Sequence, residues 1–139
     1  MRKLVLIIIL SMQLASSLFA LDADVIIGRY HLPNNLDIEI FKSENKYYGR
    51  IIGLEGFNDG QQFDINNPEE ALTGQPLLGR IIINNLEYDP AENRWVGGSM
   101  YGPEKGLIFN LKISEVREDE IVVVGSKYLF WKNMTWKKL

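Results

Sequence analysis

Few side chains in this sequence are equipped to make or break bonds, and those few lie near turns. The single histidine, His31, comes just before Pro33 and Asn34. As a general base it would need a nucleophile and an orienting group beside it, and the chain has no Gly-x-Ser-x-Gly segment to supply one. There is no cysteine, which excludes thiol catalysis, disulfides and zinc–thiolate sites. We therefore interpret His31 as a surface residue and predict no catalytic residue.

Four carboxylates in the polar segment 56–75 are the next candidates. Oxygen ligands on a loop suit calcium, but the spacing does not match a twelve-residue EF-hand loop. The favoured interpretation is that Asp64 and Asn67 hydrogen-bond to nearby backbone and fix the loop, with no metal and no cofactor. A carboxylate-dependent hydrolase stays open as an alternative, since the sequence does not show which carboxylates face one another across a cleft. The four are Asp59, Asp64, Glu69 and Glu70.

Short strands must position these side chains, because strand patterns and turn signals dominate the chain after residue 20. Leu36, Ile38 and Ile40 alternate with acidic residues, which is the period of a half-buried strand. Residues 77–86 form an apolar run that predicts another strand, and Gly97-Gly98 indicates a bulge or bend within a later one. About eight strands with tight connections predict an all-β fold, a single antiparallel up-and-down barrel with at most short helical turns.

Residues 1–20 have the composition of a secretory signal peptide. Arg2 and Lys3 precede the apolar run 4–10, and Ala20 is the expected cleavage position. The apolar run is too short for a membrane span, which needs about 20 residues. We predict export to the periplasm or the medium, a barrel domain over residues 21–139 and no transmembrane span in the mature chain. An uncleaved tether is the alternative.

The charge balance argues against some partners. Loss of Arg2 and Lys3 with the leader lowers the basic count from 15 to 13 against 18 acidic residues. A chain of this net charge has no electrostatic basis for nucleic-acid binding, so no nucleic acid is predicted as a partner.

The apolar and aromatic strand residues could either fill the barrel or line a cavity, because an eight-stranded barrel can hold one small ligand. Alternation predicts that Tyr48 and Arg50 share one face of a strand, as do Arg80 and Ile82. An arginine inside a dry core would need a carboxylate partner or a ligand. The residues predicted to line a cavity are Ile38, Ile40, Tyr48, Arg50, Arg80, Ile82, Trp95, Tyr101, Leu107, Phe109 and Leu111.

Three elements together resemble the bacterial secreted family catalogued as domain of unknown function 2147. They are Asp64 with Asn67-Pro68, the Leu78-Gly79 pair, and the spaced run Trp95-x-Gly97-Gly98-x-x-Tyr101-x-Pro103-x-x-Gly106 with a later Trp136. The resemblance implies a lipocalin-related, calycin-type β-barrel and no assigned activity.

Gly28-Arg29-Tyr30 is similar to the Gly-x-Trp sequence near the first strand of lipocalins, with tyrosine in place of tryptophan. The resemblance implies that Lys137 or Lys138 would be the basic residue covering that ring. The residues that carry this structural motif are Gly28, Tyr30, Asp64, Asn67, Pro68, Gly97, Gly98, Pro103, Gly106 and Trp136.

The leading hypothesis is an exported, non-catalytic β-barrel that binds or carries a small, largely apolar ligand in its interior. The first alternative is a filled barrel that serves as a structural or protein-interaction module of the cell envelope, with residues 56–75 and nearby exposed aromatic residues as its binding surface. The second is the hydrolase above. The interior volume separates the first two, because ligand pockets measure roughly 300–1,000 Å³.

Overall fold

Eight antiparallel strands close into a barrel in the computed structural model, which describes residues 23–139. Each strand pairs with the next, and the last pairs with the first, which confirms the predicted lipocalin-like, up-and-down barrel. The predicted signal peptide, residues 1–20, lies outside the described residues. The strands are β1 (Gly28–His31), β2 (Asp37–Ser43), β3 (Lys46–Gly53), β4 (Ile81–Asp89), β5 (Arg94–Gly102), β6 (Leu107–Val116), β7 (Glu120–Lys127) and β8 (Phe130–Lys138).

Helical structure in this part of the chain is confined to two 3-10 turns, Asp24–Ile26 and Asn58–Gly60. No helix within residues 23–139 is long and apolar enough to cross a bilayer.

Period-two alternation builds the interior on β2 and β6. Ile38 and Ile40 are fully buried, and the acidic residues between and before them are half-exposed. Leu111 and Ile113 are buried in the same way on β6. Each side chain removed from water in this manner contributes about 1.5–3 kcal/mol to folding.

The predicted inner face of β3 was wrong. Tyr47 and Ile51 are buried, whereas Tyr48 and Arg50 lie on the outer face. There the Arg50 guanidinium binds Glu39 Oε1 at 2.7 Å. Both faces of β3 carry aromatic and branched residues, so alternation alone does not separate them. The pairing with β2 does, because it brings Arg50 opposite Glu39.

The strand predicted over residues 77–86 begins later, at Ile81. The preceding residues form a turn in which the Arg80 N–H donates to the Leu77 carbonyl at 2.9 Å. Ile82 and Ile83 are both fully buried although neighbours in a strand point to opposite faces. Both faces of β4 are therefore covered at this level.

The N-terminal segment closes one end of the barrel. Trp95 on β5 donates its indole N–H to the Ala23 carbonyl at 2.9 Å, and Tyr30 on β1 donates its hydroxyl to the Ile26 carbonyl at 2.8 Å. β1 and β5 are four strands apart, on opposite walls, so this segment crosses the barrel end. Burial raises the pKa of Tyr30 to about 12.

Neither lysine implied by the lipocalin resemblance covers the Tyr30 ring. Lys137 Nζ binds Glu120 Oε2 at 2.8 Å, and Lys138 Nζ donates to the Arg117 carbonyl at 2.9 Å. Both side chains turn outward to partners at the β6–β7 turn, and the Tyr30 hydroxyl is satisfied by the N-terminal segment instead.

The glycine pair of β5 forms the expected bulge. Gly97 has φ of +74°, and the register with β6 shifts between Trp95 and Gly98. A Cβ on Gly98 would stand 2.6 Å from Leu86 Cδ2. The bulge therefore lets Leu86 of β4 pack against the backbone of β5.

Candidate ligand-binding mouth of the barrel

A cavity of about 300 Å³ opens at the end of the barrel opposite the N-terminal segment. Strand pairing places Met100 of β5 beside Phe109 of β6, and alternation along β8 puts Met134 on the same inner face as Trp136. The volume lies at the lower end of the range for ligand pockets, roughly 300–1,000 Å³. The cavity is lined by Leu32, Pro33, Asn34, Met100, Gly102, Glu104, Phe109, Lys132, Met134 and Trp136.

Glu104 brings an unsatisfied carboxylate oxygen to this cavity. Its Oε2 is buried and has no hydrogen-bond partner among the described residues. The side chain folds back over Gly102, where a Cβ would lie 3.4 Å from Oε1. Lys132 lines the same cavity, yet no ion pair joins it to Glu104 within residues 23–139. Buried carboxylate oxygens are normally paired. A turn of the Glu104 side chain toward the cavity would let this atom accept a hydrogen bond from a bound molecule.

A shallower, more open depression of about 280 Å³ continues the cavity wall along the β7–β8 hairpin. Phe109, Lys132 and Met134 line both spaces. The absence of a side chain at Gly125 leaves room beside Phe109 in this depression, because a Cβ there would stand 3.2 Å from the Phe109 ring. The mouth therefore has one apolar wall that runs from the cavity out to the hairpin.

Asp64 holds the other side of the mouth in a buried polar cluster. The carboxylate is fully buried. It accepts hydrogen bonds from Arg80 Nη1 at 2.9 Å, the Tyr101 hydroxyl at 2.6 Å and Asn67 Nδ2 at 2.7 Å. Burial first, and then the hydrogen bond to Asp64, raise the pKa of Tyr101 well above its ordinary value. With its charge paired and its oxygens bonded, Asp64 is positioned to stabilise the fold.

The β3–β4 connection, which contains Asp64, also binds the β5–β6 turn. Asn66 Nδ2 donates to the carbonyls of Pro103 and Glu104 at 3.2 and 3.1 Å. A Cβ on Gly106 would stand 1.9 Å from the Asn66 carbonyl oxygen, and Gly106 has φ of +68°. We call Asp64, Asn66, Asn67, Arg80 and Tyr101 the latch. Because the latch fixes the turn that carries Glu104, it sets where that carboxylate meets the cavity.

Five of the ten motif residues of the sequence analysis lie in or beside this latch, namely Asp64, Asn67, Pro68, Pro103 and Gly106. Asp64 and Asn67 were expected to fix the loop, and they do so by binding each other and, through Asn67 Oδ1, the Glu69 N–H at 2.8 Å. Pro68 follows at the start of a turn rather than a helix. Pro103 supplies a carbonyl acceptor, and Gly106 supplies the space for Asn66.

The predicted cavity residues divide into five groups. Phe109 lines the cavity. Ile38, Ile40, Trp95 and Leu111 are buried in the packed core rather than around the cavity. Arg80 and Tyr101 belong to the latch, and Leu107 is half-exposed at the rim. Tyr48 and Arg50 lie outside, and Ile82 is buried with the core residues.

Several lining residues were missed, namely Leu32, Met100, Glu104, Lys132 and Met134. Trp136 had been assigned to the structural motif alone. Alternation back from Trp136 would have found Met134 and Lys132, and pairing of β5 with β6 from Phe109 would have found Met100. No sequence signal marks Glu104.

The candidate chemical groups do not converge. Asp59, Glu69 and Glu70 are exposed and apart from buried Asp64. No group of three His, Asp or Glu side chains within residues 23–139 is placed to hold a metal ion. His31 Nδ1 lies 2.6 Å from Asp37 Oδ1, a contact the sequence did not suggest. Both side chains are about one-third exposed or more, and no serine in the described chain bonds His31.

Comparison with known proteins agrees with this architecture. The model of a family described as "Uncharacterized protein conserved in bacteria (DUF2147)" matches residues 29–138. A solved structure titled "Protein HP1028 from the human pathogen Helicobacter pylori belongs to the lipocalin family" is similar with a TM-score of 0.71 and 20% sequence identity, covering 82% of each chain. That degree of identity shows the fold. No curated protein matches the sequence.

Proposed function

This chain belongs to the bacterial family of uncharacterized proteins DUF2147, and we propose that it is an exported, non-catalytic barrel that binds a small, largely apolar molecule in the cavity at its open end. The observation that carries the proposal is the cavity itself, about 300 Å³ and walled by Leu32, Met100, Phe109, Met134 and Trp136.

The two halves of the barrel differ in packing, and this difference supports the assignment. The closed half is packed solid around Ile26, Tyr30, Tyr47 and Trp95, all at most 2% exposed. Packing of that kind holds a barrel together without any cavity. The open half departs from it, and its apolar lining would gain contacts if a ligand filled the space.

Glu104 narrows the ligand class. A buried carboxylate oxygen without a donor costs free energy, and a bound donor group would recover it. The ligand that fits best has an apolar body and one hydrogen-bond donor, such as an amine, at its outer end.

Binding without catalysis is supported by the way the chemical groups are dispersed. The His31–Asp37 pair sits half-exposed on β1 and β2, and neither residue lines the cavity. Asp64 is occupied by three donors of the latch. A hydrolase would need two facing carboxylates or an activated nucleophile near the bound molecule.

A fluorescent apolar probe, N-phenylnaphthylamine, tests the proposal with a matched pair of variants. Met134 lines the cavity, and its neighbour Thr135 is exposed on the outer face. Met134→Trp should fill the cavity and abolish the fluorescence gain, whereas Thr135→Trp should keep it. Equal probe binding by both variants would show that the cavity is not the site.

Export is the part of the proposal that rests on residues 1–20 alone. The intact mass of the protein from the host's periplasmic fraction should correspond to a chain starting at Leu21. Recovery of the uncleaved chain from the cytoplasm would refute export and leave the binding proposal standing.

A further inference from the structure

The tip of the β7–β8 hairpin exposes four large apolar side chains in succession. Tyr128, Leu129, Phe130 and Trp131 are 90%, 87%, 80% and 75% exposed. Single exposed apolar residues are ordinary, but a contiguous patch marks a contact surface. Leu107 and Ile108 on adjacent β6 are 48% and 56% exposed and extend the patch.

Tyr128 has an unfavourable backbone conformation at the tip of this hairpin. β7 ends at Lys127 and β8 begins at Phe130, so two residues make the turn. Tyr128 has φ of 55°, a left-handed value that two-residue hairpin turns normally assign to Gly, Asn or Asp. A bulky residue is disfavoured in that region. Backbone strain of this kind is retained where the side chain has a use outside the fold.

Positive charge surrounds the apolar tip. Lys127 and Lys132 flank it on the two strands, and residues 125–134 include no acidic side chain. This contrasts with the whole chain, whose formal net charge is −3. Lysines behind exposed aromatic residues are the arrangement that attracts anionic lipid headgroups.

A bilayer surface fits the tip better than a second copy of the chain. A stable protein interface takes about 20 residues from each side, whereas this patch has only Leu107, Ile108 and residues 128–131. The tip is a narrow projection whose backbone is already paired, through Lys127 with Phe130 and Ser126 with Trp131. Paired backbone is what allows a segment to enter the apolar edge of a membrane.

We propose that the β7–β8 hairpin docks the barrel mouth onto an anionic lipid bilayer, with Tyr128 to Trp131 entering the interface and Lys127 and Lys132 meeting the headgroups. The inference stands apart from ligand binding. Because Phe109, Lys132 and Met134 belong to both the cavity wall and the hairpin depression, docking would bring the cavity mouth against the lipid.

Vesicle binding tests the inference, and the chain supplies its own reporter. Trp95 and Trp136 are at most 2% exposed, and Trp131 is the exposed tryptophan. The chain from residue 21, which contains all eight described strands, is mixed with phosphatidylcholine vesicles or with vesicles that also contain phosphatidylglycerol. We expect cosedimentation with the second kind and a blue shift of the fluorescence emission.

Two double variants separate the hairpin from general apolarity. Phe130→Ser with Trp131→Ser should lower the vesicle partition coefficient by about tenfold or more. The control, Ile65→Ser with Leu78→Ser, removes side chains that are 63% and 60% exposed elsewhere and should change it by less than about twofold. Lys127→Gln with Lys132→Gln should remove the preference for phosphatidylglycerol, by about fivefold per lysine.

Several results would overturn the inference. One is equal vesicle binding by the hairpin and control variants. Another is the absence of binding to either kind of vesicle. A third is concentration-dependent self-association that disappears in the Phe130→Ser, Trp131→Ser variant, since the patch would then be an interface between copies.

Discussion

Gly106 and Tyr128 lie in the β5–β6 and β7–β8 turns at the same end of the barrel, and both have left-handed backbone, with φ of 68° and 55°. At Gly106 the Asn66 carbonyl occupies the place where a side chain would begin. At Tyr128 a full aromatic ring projects into solvent, 90% exposed. One turn is sealed against the long connection, and the other is left open.

The two sides of the mouth differ in the same way as these turns. The latch side buries a carboxylate with three donors and holds Glu104 in place. On the hairpin side, within residues 23–139, no side-chain hydrogen bond ties residues 128–131 to another loop. This end of the barrel therefore combines a fixed wall, suited to orienting a ligand, with an apolar wall available for contact.

Removing the centre of the latch should have the largest effect. Asp64→Ala leaves Arg80, the Tyr101 hydroxyl and Asn67 without their acceptor, and loss of one partner of a buried ion pair costs about 3–5 kcal/mol. Urea unfolding measures the loss. Asp59→Ala, an exposed carboxylate of the same connection, is the control and should change stability by less than about 0.5 kcal/mol. Similar losses for both would mean that the latch does not stabilise the fold.

Gly106→Ala should destabilise by about 2–4 kcal/mol, because it adds a left-handed alanine and a clash with the Asn66 carbonyl. Gly74 has φ of +82° with nothing within 4 Å of its Cβ position, so Gly74→Ala carries the backbone cost alone, about 1–2 kcal/mol. Thermal unfolding of the two variants isolates the clash. No difference between them would place Asn66 away from Gly106.

Tyr101→Phe should cost about 1.5–3 kcal/mol at neutral pH, since it removes a hydrogen bond to a charged group. It should also flatten the alkaline loss of stability. The pKa of Tyr101 is higher in the folded protein than in the unfolded chain. The stability that its hydroxyl contributes is therefore fully present below the pKa of an unfolded tyrosine, about 10, and is lost as the pH rises through the folded pKa. Urea unfolding of Tyr101→Phe across this pH range should still show the loss of stability that the raised pKa of Tyr30 causes. An unchanged slope would contradict the Asp64–Tyr101 bond.

Glu104→Gln tests the link between the latch side and the ligand. Affinity for decylamine should fall by about tenfold, because a charge-assisted hydrogen bond is lost, while affinity for decane should hardly change. Displacement of N-phenylnaphthylamine measures both. Stability should stay the same or rise slightly, since the unpaired buried carboxylate is gone. Equal losses for amine and alkane would remove Glu104 from the site.

Tyr128→Gly should have the smallest effect on stability, and unlike the latch variants it should not destabilise the fold. Relief of the left-handed tyrosine should leave stability unchanged or raise it by up to about 1 kcal/mol, while binding to phosphatidylglycerol vesicles weakens. Unfolding and cosedimentation measure the two effects on one sample. A large loss of stability would mean that Tyr128 serves the fold rather than the surface.

The barrel and the role of Asp64 and Asn67 in fixing the loop could be predicted because their signals are local. Alternation on β2 and β6 fixed their faces, and the bulge glycine Gly97 and the turn glycine Gly106 stand where backbone strain or close packing requires them. The other latch residues were not predicted, because Arg80 and Tyr101 were assigned to the cavity. The inner face of β3 was not predictable from alternation, because Tyr47 and Tyr48 are equally suited to burial. Only pairing with Glu39 of β2 places Arg50 outside.

The two ends of the barrel depend on contacts that sequence patterns do not report. The seal of the closed end joins Trp95 to a carbonyl 72 residues earlier. The composition of the hairpin tip predicts a buried strand. The tip is exposed instead, because the Lys127–Phe130 pair lies beyond the rim of the barrel. The cavity is a property of how Met100, Phe109 and Met134 meet, which no single strand encodes.

Native mass spectrometry of the protein purified from its own host shows directly whether the barrel carries a ligand. We expect a bound small molecule on the wild-type protein and on Thr135→Trp, and its loss from Met134→Trp, whose indole would fill the cavity. Wild-type protein that carries no small molecule, and that fails to take up N-phenylnaphthylamine, would contradict a ligand-binding barrel.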